Sequence, residues 1–218
     1  LSTGNMLGKY NNGAAFAVIN WLKENYPEFQ PQQILDEGCT VGHNTLPYKE
    51  VWHSANIFAI DIGAPVLRYA HRRSESLGYK INFSQQNAEK TKFKNSFFDM
   101  VVSTMFLHET SYKAVHNITK EAYRILKKGG LMIHVEQPPF NKIKDPFDQL
   151  MGDWDTHNNN EPFWGPMHDM DLEKVALKAG FKRDNIIQTF APLICPTDNN
   201  NYNITPKGKW FIFAAWKT

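Results

Sequence analysis

Two side chains have the types and positions of a proton-handling pair. His108 lies in Met105-Phe106-Leu107-His108-Glu109-Thr110, after the apolar run Phe98 to Ser103. Glu136 follows a second apolar run in His134-Val135-Glu136-Gln137. At the ends of two strands of one sheet they would face each other across a pocket, the carboxylate orienting the imidazole as a general base. His134 alternates inward on its strand and reads as a satisfied core histidine. A second cluster is Leu35-Asp36-Glu37-Gly38-Cys39-Thr40-Val41-Gly42, which leaves a short strand and opens a helix. Open α/β sheets bind ligands at such carboxyl strand ends. Register disfavours the dinucleotide fingerprint, because with Gly38 first the positions of the next two glycines hold Thr40 and His43. The phosphate-loop pattern fails as well, since no Gly-Lys-Ser/Thr follows. Asp61 ends the next strand, 23 residues after Gly38, where an acidic side chain can accept both hydroxyls of a ribose. It reads equally as a helix N-cap.

The elements that must position these groups follow from hydrophobic period. Between residues 34 and 135 short apolar runs alternate with helical patterns, the mark of βα units and a largely parallel sheet. Strands are expected at 34–35, 57–60, 81–84, 98–103 and 131–135. Helices are expected at about 14–24, 42–52, 65–77 and 113–128. Pro47 is acceptable in the second because it sits near the start. Gly78 ends the third. Lys127-Lys128-Gly129-Gly130 closes the fourth, with cations at the negative helix end and glycine for a left-handed cap. After residue 137 the chain turns Pro-, Trp- and Asn-rich, then gives a helix at about 171–179 and strands near 186–190 and 210–216, paired as an antiparallel edge hairpin. The fold class is α/β, a doubly wound, Rossmann-like, seven-stranded sheet with that hairpin at its C-terminal edge.

Composition narrows the setting. The 218 residues carry 42% hydrophobic and 21% charged side chains, the mix of one folded domain rather than a disordered chain. A net charge of +2 offers no field for nucleic acid or an anionic membrane. Two cysteines, Cys39 and Cys195, make no disulfide framework and read as reduced and cytoplasmic. The longest apolar run, 100–107, is far too short to span a bilayer. No His/Cys spacing suggests a metal.

The donor-loop segment resembles motif I, D-x-G-x-G-x-G, of the class I S-adenosylmethionine-dependent methyltransferases of small-molecule type. Asp36, Gly38 and Gly42 match, and Thr40 replaces the middle glycine, which is tolerable if Thr40 keeps a negative φ. Three further blocks follow in the family's order: Asp61; Asn87-Ala88-Glu89, where Asp-Ala is usual; and Phe97 to Ser103 followed by Glu121 to Gly130. Ala179-Gly180-Phe181 also resembles the family's turn into its final hairpin. The resemblance implies S-adenosylmethionine as cofactor, held by Asp36, Gly38, Cys39 and Gly42, by Asp61 and Ile62, and by Asn87, Ala88 and Ser103. Tyr10 would lie on an N-terminal segment closing over it. It further implies a methyl transfer to oxygen or activated carbon of a small, apolar or aromatic molecule, with His108 and Glu136 handling the proton.

His108 is similar in place to the histidine of carbon-methylating domains in polyketide synthases, so a tailoring role in such a synthase is one expectation. Gln137-Pro138-Pro139-Phe140 resembles the Asn-Pro-Pro-Phe motif of adenine-N6 methyltransferases, but follows the fifth strand instead of the fourth and reads as a strand-ending device. The implied division is a cap segment 1–33, a cofactor core 34–137, an acceptor lid 138–171 and a sheet edge 172–218. On the lid, Trp154, His157 and Trp164 are the expected acceptor-binding residues. Two alternatives stay open: a non-catalytic subunit that binds the adenosyl ligand, and a nicotinamide oxidoreductase sharing the fold. The acceptor, the oligomeric state and any excision from a larger protein are not set by these residues.

Overall fold

The computed structural model describes residues 12–196 and 202–218. Seven strands form one sheet in the order β3-β2-β1-β4-β5-β7-β6. The first four are β1 (Gln33–Glu37), β2 (Asn56–Asp61), β3 (Asn82–Gln85) and β4 (Phe98–Thr104); the others are β5 (Leu126–Glu136), β6 (Ile186–Pro196) and β7 (Tyr202–Trp216). β1 to β5 pair in parallel, while β7 runs antiparallel between β5 and β6. The strand order reverses between β1 and β4, so a crevice opens over the carboxyl ends of those two strands. β1 and β4 are almost wholly buried, as central strands covered on both faces must be, whereas the edge strand β3 is half exposed.

Helices cover both faces. α1 (Gly13–Asn25), α2 (Leu46–Val51) and α3 (Ala64–Ser76) pack against one, with Ile34, Met100 and Ile133 beneath them. α4 (Tyr112–Ile125) and α7 (Leu172–Ala179) cover the other. α4 starts where the Ser111 hydroxyl accepts the Ala114 N–H, and buries Ala114, Val115, Ile118, Ala122 and Ile125 along one stripe. α5 (Pro146–Asn158) and α6 (Trp164–His168) lie in the insertion after β5.

Three expectations change. The second helix is only six residues long, because the chain from Gly38 to Gly42 keeps returning to left-handed backbone and no helix can begin there. The fourth helix ends at Ile125, and Leu126 is already extended. Lys127 reaches Asp99 across 2.7 Å, and the backbone of Gly129 and Gly130 pairs with Lys217, so the glycines serve the entry to β5 and not a helix cap. The C-terminal hairpin is longer than its apolar pattern, running through Pro192 and Pro196, which an edge strand tolerates.

Gly78 closes α3 as expected, with φ +78°, and Gly180 caps α7, with φ +116°. A Cβ there would stand 2.9 Å from the Tyr123 ring. Gly180→Ala is therefore expected to cost about 1–3 kcal/mol in urea denaturation, by backbone strain and collision together. An unchanged midpoint would show that neither constraint holds.

Candidate functional site

The loop after β1 is built on three alternate residues with positive φ: Gly38 at 67°, Thr40 at 45° and Gly42 at 77°. Thr40 thus does not keep the negative φ expected of it. A β-branched residue in this region costs about 1–2 kcal/mol, and Asp61 holds it there. Asp61 Oδ2 accepts the Thr40 N–H at 3.0 Å, while Oδ1 accepts the Gly63 N–H at 2.7 Å. Gly38 is required twice over, since a Cβ would lie 2.4 Å from the Phe106 ring.

Above this loop lies a cavity of about 490 Å³ over the carboxyl ends of β1, β2 and β4. Of the residues expected to bind the cofactor, Gly38, Asp61, Ile62, Asn87 and Ala88 line it. Asn87 Oδ1 accepts the Glu89 N–H at 2.8 Å, which fixes the side chain in a local turn. Asp36, Cys39, Gly42 and Ser103 do not reach the cavity. Asp36 is buried and accepts the Thr45 hydroxyl at 2.5 Å. Burial, opposed by that hydrogen bond and aided by the Asp61 charge, pushes its carboxyl up to about 7. Cys39 packs into the core, and burial pushes its thiol up. Gly42 faces Ala70 and Phe83. Ser103 is buried on the α4 face, its hydroxyl 2.7 Å from His134 Nδ1. Tyr10 lies outside the described residues. A larger groove of about 670 Å³ runs along the C-terminal half of α4, where Glu121 and Arg124 already pair with each other.

The wall of the cavity opposite Asp61 is the turn after β4, Met105 to Thr110. Glu136 organises it: Oε1 accepts the backbone N–H of Phe106 (2.7 Å) and Leu107 (2.5 Å), and Oε2 meets His108 Nδ1 at 2.6 Å. Both side chains are buried. With a carboxylate on Nδ1, that nitrogen carries the proton and Nε2 keeps its lone pair. Burial draws the His108 pKa down, but the hydrogen bond to Glu136 and the charges of Glu136, Glu109 and Glu161 outweigh it, and the net shift is upward. Trp164 meets the imidazole edge-on, with ring centroids 5.3 Å apart. Trp154 and His157, expected beside it, point into solvent from α5, which buries none of its residues. His134 is only half satisfied: its Nε2 has no partner, and burial pushes its pKa down to about 4.

Residues 34–130 match the family model described as a methyltransferase domain. The family model and the named relatives are those of S-adenosylmethionine-dependent methyltransferases, in line with the resemblance carried by the sequence motifs. A demethylmenaquinone methyltransferase of Thermus thermophilus is 30% identical over 112 residues, 51% of this chain and 50% of its own. A ubiquinone/menaquinone biosynthesis C-methyltransferase of Haemophilus ducreyi is 31% identical over 123 residues, 55% and 46%. The chain thus spans about half the length of the curated relatives it matches. Two solved structures share the fold. One is a protein of Pyrococcus horikoshii (15% identical, 100% of this chain and 97% of that one, TM-score 0.66), the other an S-adenosylmethionine-dependent methyltransferase of Methanosarcina mazei (24%, 90% and 96%, TM-score 0.63).

The site also draws on residues that carry no motif. Met105 and Phe106 wall the cavity, and Phe163 enters it from the insertion after β5. The aromatic content of that insertion was a signal, but the residue that lines the cavity was not singled out. Glu37 was also passed over, as the unspecified x in D-x-G. It is fully buried, and neither carboxylate oxygen has a partner. Burial, with the charges of Glu121 and Asp36, holds its pKa well above 4.5. Below the unfolded value the proton is bound in both states. As pH rises from there towards the folded value, the unfolded chain ionises freely and stability is lost. Glu37→Leu is expected to stabilise the fold by about 1–3 kcal/mol near pH 8, by removing an unpaired polar group, and by less near pH 5. Asp36 titrates alike in both proteins. A gap of equal size at the two pH values, by urea denaturation, would refute the neutral buried carboxyl.

Proposed function

We propose that this protein is an S-adenosylmethionine-dependent methyltransferase that moves a methyl group to oxygen or activated carbon of a small apolar or aromatic molecule. The observation that carries the reading is the His108–Glu136 pair, which joins the turn that walls the cavity to the end of β5, both side chains lying just behind the cavity lining. The cavity fits the cofactor. Gly38 leaves a cradle that a Cβ would fill, Asp61 keeps unused lone pairs for hydroxyl donors, and Ile60, Ala88 and Phe106 supply apolar wall for a flat base. When bound, the cofactor supplies an electrophilic methyl on a positively charged sulfur.

The work of the chain is to position, to exclude water and to take a proton. His108 Nε2, 3.6 Å from Glu109 Oε1, is the nitrogen that takes the proton, and Glu136 fixes the ring and stabilises the imidazolium that forms when the acceptor is deprotonated. Residues 138–171 form the acceptor lid in this reading, 1–33 a cap, 34–137 the cofactor core and 172–218 the sheet edge. Trp164 is the acceptor-side residue nearest the base. A reduced, cytoplasmic setting fits the free buried thiol of Cys39. The curated relatives' names make quinol-type rings the first acceptors to test.

Cofactor binding is measured by thermal melting. S-Adenosylhomocysteine at 100 times its dissociation constant stabilises a fold by about 2.7 kcal/mol, and NAD at the same concentration is expected to do nothing. No shift with the sulfur compound would remove the reading. Given an acceptor, the wild-type rate is expected to rise with pH through a pKa above the ordinary histidine value of 6.5. His108→Ala should lose about 10²-fold or more in kcat while S-adenosylhomocysteine affinity stays nearly intact. Glu136→Gln removes the interactions that raise the histidine, so the rising limb should move to lower pH as the maximal rate falls. A limb that stays in place would exclude His108 as the group titrating.

A further inference from the structure

The lid has an unusual foundation. α5 is thirteen residues long, buries none of them, and presents Phe147, Leu150, Met151 and Trp154 to solvent along one stripe. A helix of that length is marginal unless packing holds it. It meets the rest of the protein at Gly152, where a Cβ would stand at ordinary contact distance, 3.5 Å from His168 Nε2 and 3.6 Å from the Phe140 ring, and at Gln149, whose Nε2 donates to the Phe140 and Ile143 carbonyls. His168 stacks flat on Phe140, centroids 4.4 Å apart, and its Nδ1 donates to the Pro138 carbonyl at 3.0 Å. Trp164 bridges His168 to His108, with ring centroids 6.1 and 5.3 Å away. The lid is therefore tied down through α6, and Phe163 is the residue that precedes it.

Phe163 faces the other way. It lines the cofactor cavity across from Asp61 and leaves 37% of its surface uncovered. Successive residues of the lid thus address the two halves of the reaction: Phe163 the cofactor, Trp164 the base. We propose that Phe163 is a cofactor-contacting residue contributed by the acceptor lid, so that filling the cavity orders the lid and the cofactor binds before the acceptor. The idea rests on the cofactor reading above. An aromatic ring already at the cavity wall gains buried surface when a flat ligand fills the space beside it. That gain is transmitted within one residue to the Trp164–His108 contact and from there to His168 and α5. The lid of an empty cavity lacks it, and its opening free energy is lower.

Limited trypsin digestion reads this directly, because Lys142 and Lys144 stand at the root of the lid, just before α5. Saturating S-adenosylhomocysteine is expected to slow cleavage at these two lysines about fivefold or more in the wild type. In Phe163→Ala the same ligand, raised in concentration until the melting temperature shows saturation, should slow cleavage less than about twofold, with its affinity weakened about three- to tenfold. Phe163→Trp should restore protection and affinity together. A wild-type melting shift without protection of Lys142 and Lys144 would overturn the coupling and leave the cofactor reading intact. Absence of any melting shift would defeat the cofactor reading itself. Full protection in Phe163→Ala would show that the lid senses the ligand through some other residue. Hydrogen exchange of the 146–158 amides gives the same comparison without a protease, should a variant alter cleavage for local reasons.

Discussion

A carboxylate can accept several hydrogen bonds at once, and Glu136 uses this to fold the exit of β4. Two backbone N–H groups and an imidazole converge on it from Phe106, Leu107 and His108, all inside the buried core. The turn it shapes is strained, with Met105 at φ +50°, and is pinned at its root by the Met105 N–H on the Val135 carbonyl. Three consequences follow from one clamp. The Phe106 ring is laid over Gly38, the cavity gains its wall, and His108 has Nδ1 committed to the carboxylate with Nε2 turned towards Glu109. Without the carboxylate, two buried N–H groups would lose their acceptor, a loss comparable to any core truncation.

The opposite wall depends on a second carboxylate used in a similar way. Asp61 bonds the backbone at Thr40 and Gly63, tying the β1 loop to the end of β2. That tie explains how threonine survives where glycine would be easier, since the hydrogen bond to Asp61 holds a backbone conformation that its side chain opposes. Asp36, two residues before Gly38, supports the same loop through its hydrogen bond from Thr45. The three acids divide the work: Asp61 shapes the cavity surface, Asp36 supports it, and Glu136 builds the far side.

Beneath the cavity floor the sheet carries an unexpected row of polar side chains. Glu37 pairs in register with Ser103, and Ser103 with His134, so all three project to the α4 face across β1, β4 and β5. Only the Ser103–His134 contact is a hydrogen bond. The ends of the row, the Glu37 carboxyl and His134 Nε2, have no partner. Burial drives both towards their neutral forms, the acid upward and the base downward, which is how the interior tolerates them.

Local pattern determined most of the architecture. Apolar runs of strand length, the α4 stripe, the Gly180 cap and the order of the blocks from Asp36 to Gly130 specify a doubly wound sheet, because hydrophobic period and turn chemistry act over a few residues at a time. They also placed His108 and Glu136 at the ends of adjacent strands. Tertiary structure decided what depends on distance in space. It decided that Ser103 and Cys39 turn away from the cavity, that Thr40 is held left-handed by a carboxylate 21 residues on, and that Lys127 and Gly129 serve β5 because Asp99 and Lys217 await them there. It also chose, among many aromatic residues after β5, Phe163 and Trp164 to turn inward while Trp154 faces water. Composition marks such a segment as sticky but cannot orient it, since which ring is buried is set by the partner surface and not by the segment's own sequence.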